Sequence, residues 1–268
     1  MTAVTTAFAD GWTIARRNVI KLFRIPDLII ASTIQPIMFV LLFAYVFGGA
    51  IEVPGVSYRE FLIGGIFVQI VAFNCAVTAI GLADDLQKGI IDRFRALPMA
   101  RSAVLLGRTT SDLVGSVIVL VVMSLCGLLV GWRIHSSVGE AVAGYAVVLL
   151  FSFAMSWIAA TIGLTVRSVE VAQSAGLVWL FPVTFVSNVF VPLQSMPSWL
   201  QPIAEWNPVS TVALAIRTLF GNIPDGVPPD GVRFPSQHPV AMSVVWCLLI
   251  LAIFVPLAVQ RYQRAAAR

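Results

Sequence analysis

Residues 84–108 read DDLQKGIIDRFRALPMARSAVLLGR and form the longest charged segment of a chain that is otherwise strongly apolar. Apolar side chains recur here at the three- and four-residue spacing of one helix face; they are Leu86, Ile90, Phe94 and Leu97. Charged side chains occupy the opposite face, and Pro98 ends the helix because its ring displaces a backbone hydrogen bond. The pattern predicts a short amphipathic helix between two membrane spans. Such a helix either lies on lipid headgroups or docks into a groove of a soluble partner, and we favour the second interpretation.

The composition of the chain identifies its class. Of the 268 residues, 59% are hydrophobic and 11% are charged, and the mean hydropathy is +0.92. A soluble domain carries about 25% charged residues, so this chain is predicted to be an integral membrane protein. Its net charge of +4 comes from cations at span ends, where orientation and anionic lipid explain them better than nucleic acid does. The three cysteines, Cys75, Cys126 and Cys247, lie in apolar stretches and indicate neither a disulfide nor a metal site.

Six apolar stretches predict an all-α protein with six transmembrane helices. Each is about 18 to 26 residues long, enough to cross roughly 30 Å of hydrocarbon. They comprise residues 28–47, 61–82, 113–130, 141–166, 171–191 and 240–259. An earlier start of the third stretch, near Val104, would place Arg108 and Asp112 as a pair of opposite charges at its cytoplasmic end.

The segments that flank the spans complete a single predicted domain over residues 1–268. Residues 1–27 have aromatic side chains on one face and cations on the other, which predicts a helix lying in the membrane interface. Thirteen lysines and arginines fall on the side of both termini and of loop 84–108, against four on the other side. This asymmetry predicts that both termini are cytoplasmic. Residues 192–239 are rich in proline and predict short re-entrant helices in the outer leaflet, followed by an external loop.

Several kinds of chemistry are missing from the sequence. There is no glycine-rich phosphate loop followed by lysine, so the chain is not expected to hydrolyse nucleotide. No cluster of histidine, cysteine and carboxylate side chains has metal-ligand spacing. No ionisable residue is expected in the middle of a span, which disfavours an ion-driven carrier. Amides within the spans, such as Gln35, Gln69 and Asn74, either bond to a neighbouring helix or contact a substrate.

Three stretches together resemble a known family. They are the loop motif (Leu86, Lys88, Gly89, Asp92, Arg93, Phe94, Arg95, Leu97 and Pro98), residues 180–210 and residues 35–50. Their sequences and spacing resemble the membrane subunits of type-2 ABC exporters, and most of all the daunorubicin/doxorubicin-resistance permeases of actinobacteria. The resemblance covers nearly the whole chain. One departure is that many distant relatives carry glutamates where this chain has Asp84 and Asp85.

The resemblance implies a division of labour between subunits. The loop would be a coupling helix in a cleft of a separately encoded cytoplasmic ATPase, and two such ATPases would serve two membrane subunits, expected to be a homodimer in the bacterial plasma membrane. ATP and magnesium would be bound by the partner, and no cofactor by this chain. The implied coupling residues are Asp85, Lys88, Gly89, Ile90, Asp92, Arg93, Phe94, Arg95, Leu97 and Pro98. Spans two and five would border the substrate path, which makes Gln69, Asn74, Phe181 and Asn188 its candidate residues.

The cargo stays open at this point. An amphiphilic drug, a lipid, a lipid-linked glycan or another hydrophobic metabolite would each suit charge-free spans. Phenylalanines such as Phe73, Phe181 and Phe185 fit an aromatic cargo, but helix packing explains them equally well. Two other classes of protein remain as alternatives, namely an ion-coupled carrier and a membrane-embedded lipid-modifying enzyme.

Overall fold

The computed structural model describes residues 26–47, 53, 55, 57–89, 103–223 and 233–265. Its longer helices are α1 (Pro26–Leu42, continued by a π-helical turn, Phe43–Phe47), α2 (Tyr58–Gln87), α3 (Ala103–Val130), α4 (Val138–Gly163), α5 (Val169–Phe185) and α9 (Pro239–Ala265). Shorter elements lie between α5 and α9: a 3₁₀ turn (Leu193–Ser195), α6 (Gln201–Trp206), α7 (Pro208–Leu219) and α8 (Phe234–Gln237). The predicted interfacial helix, the loop from Ile90 to Pro98 and residues 224–232 lie outside the described residues.

The described residues are helical wherever they form regular structure, which confirms the all-α prediction. Within these described residues, four helices, α2, α3, α4 and α9, are long and apolar enough to cross a membrane. The predicted first span is α1 with its π-helical turn, and the early start of the third span is confirmed because α3 begins at Ala103. The fifth span was predicted too long, since α5 ends at Phe185 rather than at residue 191. The complete six-span layout therefore stays a prediction.

Asn207 explains why α5 ends where it does. Pro182 lies in the last turn of α5, and the side-chain amide of Asn207 donates hydrogen bonds to the carbonyl oxygens of Val183 and Val186, both at 2.6 Å. These carbonyls have no partner within the helix once it stops. The side-chain oxygen of the same residue accepts the amide of Val209 at 2.8 Å and so caps the start of α7. One side chain thus caps both the end of α5 and the start of α7.

Helix α2 is the central element of the fold, and it packs against α1, α3, α4, α5 and α7. Its closest neighbour is α4, where a methyl group added at Gly163 would lie 2.5 Å from the backbone oxygen of Ala79. Small residues at such a crossing let two helix backbones approach each other, as in many membrane proteins. A shift of α2 would therefore require the helices packed against it to shift as well.

The segment between α5 and α9 packs on the long helices, as predicted. Helix α7 is buried from Val209 to Arg217 and contacts α2, α4 and α9. Trp199 and Trp206 are exposed, at 70% and 47%, as expected for side chains at headgroup level. The depth of this segment in the bilayer stays a prediction.

Candidate functional site

A cavity of about 670 Å³ lies between α1, α2, α3, α4 and α5. Its lining residues on α2 recur every three or four positions from Gln69 to Asp85, so one face of this helix borders the cavity over about 24 Å at 1.5 Å per residue. Polar lining residues include Gln35, Gln69, Asn74, Asp84, Asp85, Arg108, Ser111, Asp112, Ser116, Ser152 and Ser156. The cavity thus combines an apolar part with a charged one.

One part of the cavity is aromatic. The rings of Phe73 and Phe181 meet edge to face with their centroids 5.2 Å apart, and both line the cavity together with Phe39. Beyond them, successive rings continue as an arc: Phe181–Phe185 at 5.7 Å, Phe185–Phe190 at 5.4 Å, Phe43–Phe190 at 4.6 Å and Phe39–Phe43 at 5.9 Å. Stacked and edge-to-face rings of this kind offer an apolar surface for a flat or hydrophobic molecule.

Amides and hydroxyls lie beside the aromatic part. The hydroxyl oxygens of Ser116 and Ser152 are 2.7 Å apart and hydrogen-bond to each other. Gln69 is only 6% exposed, and neither it nor Asn74 forms a side-chain hydrogen bond with another residue in the described part of the chain. Neutral hydrogen-bonding groups therefore face the cavity on α2.

The charged end of the cavity joins α2 to α3. Asp112 lies 3.6 Å from Arg108, measured from Oδ1 to Nε, and its Oδ2 accepts the hydroxyl of Thr78 at 2.6 Å. A second bond from α3 to α2 is donated by Nη2 of Arg108 to the carbonyl oxygen of Val77 at 3.2 Å. Arg108 lies directly on Gly81, where any larger side chain would overlap the guanidinium. We call the Arg108–Asp112 pair with these α2 contacts the α2–α3 clamp. The pair confirms the prediction for an earlier start of the third span, with Arg108 and Asp112 near its beginning.

The described part of the predicted coupling loop shows where α2 stops. Lys88 and Asp84 form an ion pair across one helical turn, with Nζ of Lys88 2.7 Å from Oδ2 of Asp84. Helix α2 continues through Leu86 to Gln87, and Gly89 follows with a φ of +62°, a conformation typical of glycine after a helix end. The amphipathic helix was predicted to include Leu86, which is wrong, because Leu86 belongs to α2. The roles of Asp85, Lys88 and Gly89 in coupling stay predictions, as do those of the residues from Ile90 to Pro98.

Three of the four predicted path residues, Gln69, Asn74 and Phe181, line the cavity. Asn188 lies elsewhere, in the turn that follows α5, and is fully buried. Its backbone amide donates to the hydroxyl of Ser210 at 3.0 Å, and its carbonyl oxygen accepts Nη2 of Arg217 at 2.9 Å. Its part in a substrate path stays a prediction.

Arg217 is one of the four cations that were predicted to lie on the external side, and its charge is buried. It is 1% exposed, and its guanidinium donates to the carbonyl oxygens of Phe61 (2.8 Å), Asn188 (2.9 Å) and Val189 (3.1 Å). The guanidinium carbon also lies 3.5 Å from the centroid of the Phe61 ring. Its position in the apolar run TVALAIRTLF was the available signal, since a lone charge among apolar helical residues usually has a specific partner.

The fold and the cavity define a multi-pass membrane protein. The family model described as "ABC-2 type transporter" matches residues 10–220, and the chain belongs to this family. It is 33% identical over 219 residues to the "Daunorubicin resistance ABC transporter permease protein DrrB1" of Streptomyces coeruleorubidus, covering 82% of this chain and 76% of the relative. It is 23% identical over 206 residues to the "Doxorubicin resistance ABC transporter permease protein DrrB" of Mycobacterium tuberculosis, covering 77% and 71%.

Family membership indicates which part of a transporter this chain forms. Members of the family are the transmembrane parts of ABC transporters, and ATP hydrolysis belongs to a separate subunit. The resemblance seen in the sequence is thereby confirmed. The chain is a permease component of an ABC exporter, and the family implies an ATPase partner and a membrane-subunit partner.

Proposed function

We propose that this chain is the permease subunit of an ATP-driven exporter that moves hydrophobic or amphiphilic small molecules out of the cell across the bacterial plasma membrane. The observation that carries the proposal is the cavity of about 670 Å³ with its aromatic part and its charged end. Drug-sized ligands occupy cavities of about 300 to 1,000 Å³ lined mainly by apolar side chains with a few polar groups. A small amphiphile fits this volume. The relatives named for daunorubicin and doxorubicin resistance support the same cargo class.

The proposed energy source is a pair of separate cytoplasmic ATPases that bind ATP and magnesium and hold loop 84–108 of two permease subunits, expected to be identical. ATP hydrolysis changes transport only by favouring one conformation through differential contacts. The loop connects α2 to α3, and the α2–α3 clamp fastens these helices to each other beside it. Movement of the loop would therefore shift two cavity walls as one unit.

The experiment that tests this proposal is co-purification of the tagged chain in mild detergent, combined with efflux measurements in cells. We expect wild type to retain an ATPase subunit in about equal amount and Phe94→Asp to lose it, because a carboxylate on the apolar face would be buried without a partner. Phe234→Asp is the matched control, since Phe234 is 56% exposed in α8 on the predicted outer side. Purification of wild type alone in several mild detergents, or normal efflux by inserted Phe94→Asp protein, would contradict the proposal.

An ion-coupled carrier is the second candidate function, and the observation that favours it is Asp112. This carboxylate lies inside α3 and lines the cavity, and ionisable groups in spans often belong to ion pathways. Its contacts with Arg108 and Thr78 already give it a structural role. Export measured after ATP depletion with the ion gradients maintained separates the two functions. Continued export would establish the carrier, and loss of export would establish the pump.

A further inference from the structure

Gln69 and Asn74 line the cavity without a side-chain hydrogen bond to another described residue, and Gln69 is the more buried of the two. The amide of Asn188 also lacks a partner, but it does not line the cavity. Several other described amides are hydrogen-bonded. Asn207 donates to two carbonyl oxygens, Asn222 binds both Trp132 and a backbone oxygen, and Gln201 donates to the carbonyl of Met196 at 3.0 Å. Gln69 is 6% exposed and lines the cavity, yet it has no hydrogen-bond partner among the described residues. The amide atoms of Gln69 are not sealed like those of Asn188, so a group that reaches them can form a hydrogen bond worth about 0.5 to 1.5 kcal/mol. Because its exposed part faces the cavity, its partner is expected to come from whatever enters there.

The surroundings of Gln69 indicate what such a partner carries. Phe73 lies one helical turn further along α2 on the same face, and its ring meets that of Phe181. On α3 and α4, the hydroxyls of Ser116 and Ser152 bond to each other. They are therefore less available to a polar group of the cargo than the amide of Gln69 is. The amide lies one helical turn before Phe73, at the end of the α2 cavity face that is opposite the charged end. A molecule seated against the rings would place a substituent at its edge next to this amide.

We propose that Gln69 is a specificity-determining residue whose amide hydrogen-bonds a carbonyl or hydroxyl group borne on an aromatic cargo body seated against Phe73 and Phe181. This inference rests on the proposed function, because it assumes that the cavity receives the cargo. It adds that the cavity selects oxygen-substituted ring systems over plain hydrocarbons of the same shape. The charged end at the α2–α3 clamp is not needed for this selection.

The test uses two rings that differ in one group, 9-fluorenone and fluorene. The full chain with its co-purified partners is placed in lipid nanodiscs, and binding is measured by equilibrium dialysis against empty discs of the same lipid. We expect wild type to bind fluorenone about 3- to 10-fold more tightly than fluorene, the range that one net hydrogen bond supplies. Gln69→Leu should lose this preference while retaining affinity for fluorene. Gln69→Met serves as a second variant of similar length if the first fails to insert.

The matched control is Gln173→Leu, which removes the same amide from an exposed position on α5 that does not line the cavity. It should keep the wild-type preference. Three results would overturn the inference: equal affinity of wild type for both rings, binding of neither ring, or an unchanged preference in Gln69→Leu. The third result would mean that water is the partner of the amide. If an ATPase co-purifies and efflux occurs but the two rings bind equally well, only this inference is overturned. If no ATPase co-purifies, only the proposed function is overturned.

Discussion

Replacing Arg217 by methionine tests whether one buried guanidinium holds the segment between α5 and α9 against α2. The three carbonyl oxygens that it binds belong to Phe61 on α2 and to Asn188 and Val189 in the turn after α5. Methionine keeps much of the apolar stem but removes all three donors. The oxygens of the turn would then be buried without this charged partner.

The expected loss follows from opposing contributions. Hydrogen bonds from a charged donor contribute about 1.5 to 3 kcal/mol each, and removing the charge recovers several kcal/mol of desolvation cost. We expect a net decrease of about 3 kcal/mol in the free energy of unfolding, which changes the unfolding equilibrium roughly a hundredfold. Arg217→Lys should lose about half as much, because an ammonium group lacks the planar fork that reaches several acceptors. The measurement is reversible unfolding in mixed micelles with increasing SDS.

Arg133→Met provides the matched control for this prediction. Nη1 of Arg133 also donates to two carbonyl oxygens, those of Leu128 at 2.7 Å and Trp132 at 2.8 Å, but the side chain is exposed. Its removal should cost less than about 1 kcal/mol, as is usual for surface positions. A loss below about 0.5 kcal/mol in Arg217→Met, or an equal loss in both variants, would refute the reasoning.

Two further predictions concern the surfaces of α2 and α3. Gly65→Ala should lower the free energy of unfolding, because the added methyl group would overlap the carbonyl oxygen of Val189. Gly115→Ala should be neutral in the same unfolding assay, because nothing lies within 4 Å of the added methyl group. Equal effects of the two variants would contradict the steric argument. Arg108→Met and Asp112→Asn should each lower stability, and the double variant should lose less than the sum by about 1 kcal/mol or more, since either single change leaves a partly buried charge unpaired. Additive losses in that double-mutant cycle would show that the pair is not coupled.

The sequence predicted the fold best where a local pattern determines the structure. Long charge-free runs are helices in every predicted span that the structure describes, because backbone groups in hydrocarbon must be bonded within their own segment. The end of α5 was missed because it depends on Asn207, a residue about twenty positions away whose amide binds the last carbonyls. Periodicity contains no information about such a distant cap. The glycine turn after α2 was a local signal, but an uninterrupted apolar stripe in the loop outweighed it.

For the candidate site, too, local sequence features were predicted and contacts between distant residues were not. Gln69, Asn74 and Phe181 were predicted as path residues from their positions in spans two and five, and the structure brings them to one cavity. The α2–α3 clamp was foreseen only as a pair within one helix, because its contacts with Val77 and Thr78 join residues more than thirty positions apart. Arg217 was placed among external charges for a similar reason, since its acceptors lie far from it in the sequence. Tertiary hydrogen bonds of polar groups were thus the part that composition and spacing could not supply.

These contacts fasten α2 at both ends to different parts of the molecule. Near its end at Gln87, the α2–α3 clamp joins it to α3 beside the predicted coupling loop. Near its start, Phe61 shares Arg217 with the turn after α5, and Gly65 leaves room for that turn. The cavity face of α2, from Gln69 to Asp85, begins beyond the attachment at Phe61 and includes the clamp. A displacement of the loop that moved α2 as a rigid body would therefore either break the contacts of Arg217 or carry the segment after α5 with it. Because packed helices shift between discrete arrangements rather than stretch, both outcomes would change the cavity and the predicted outer segment together.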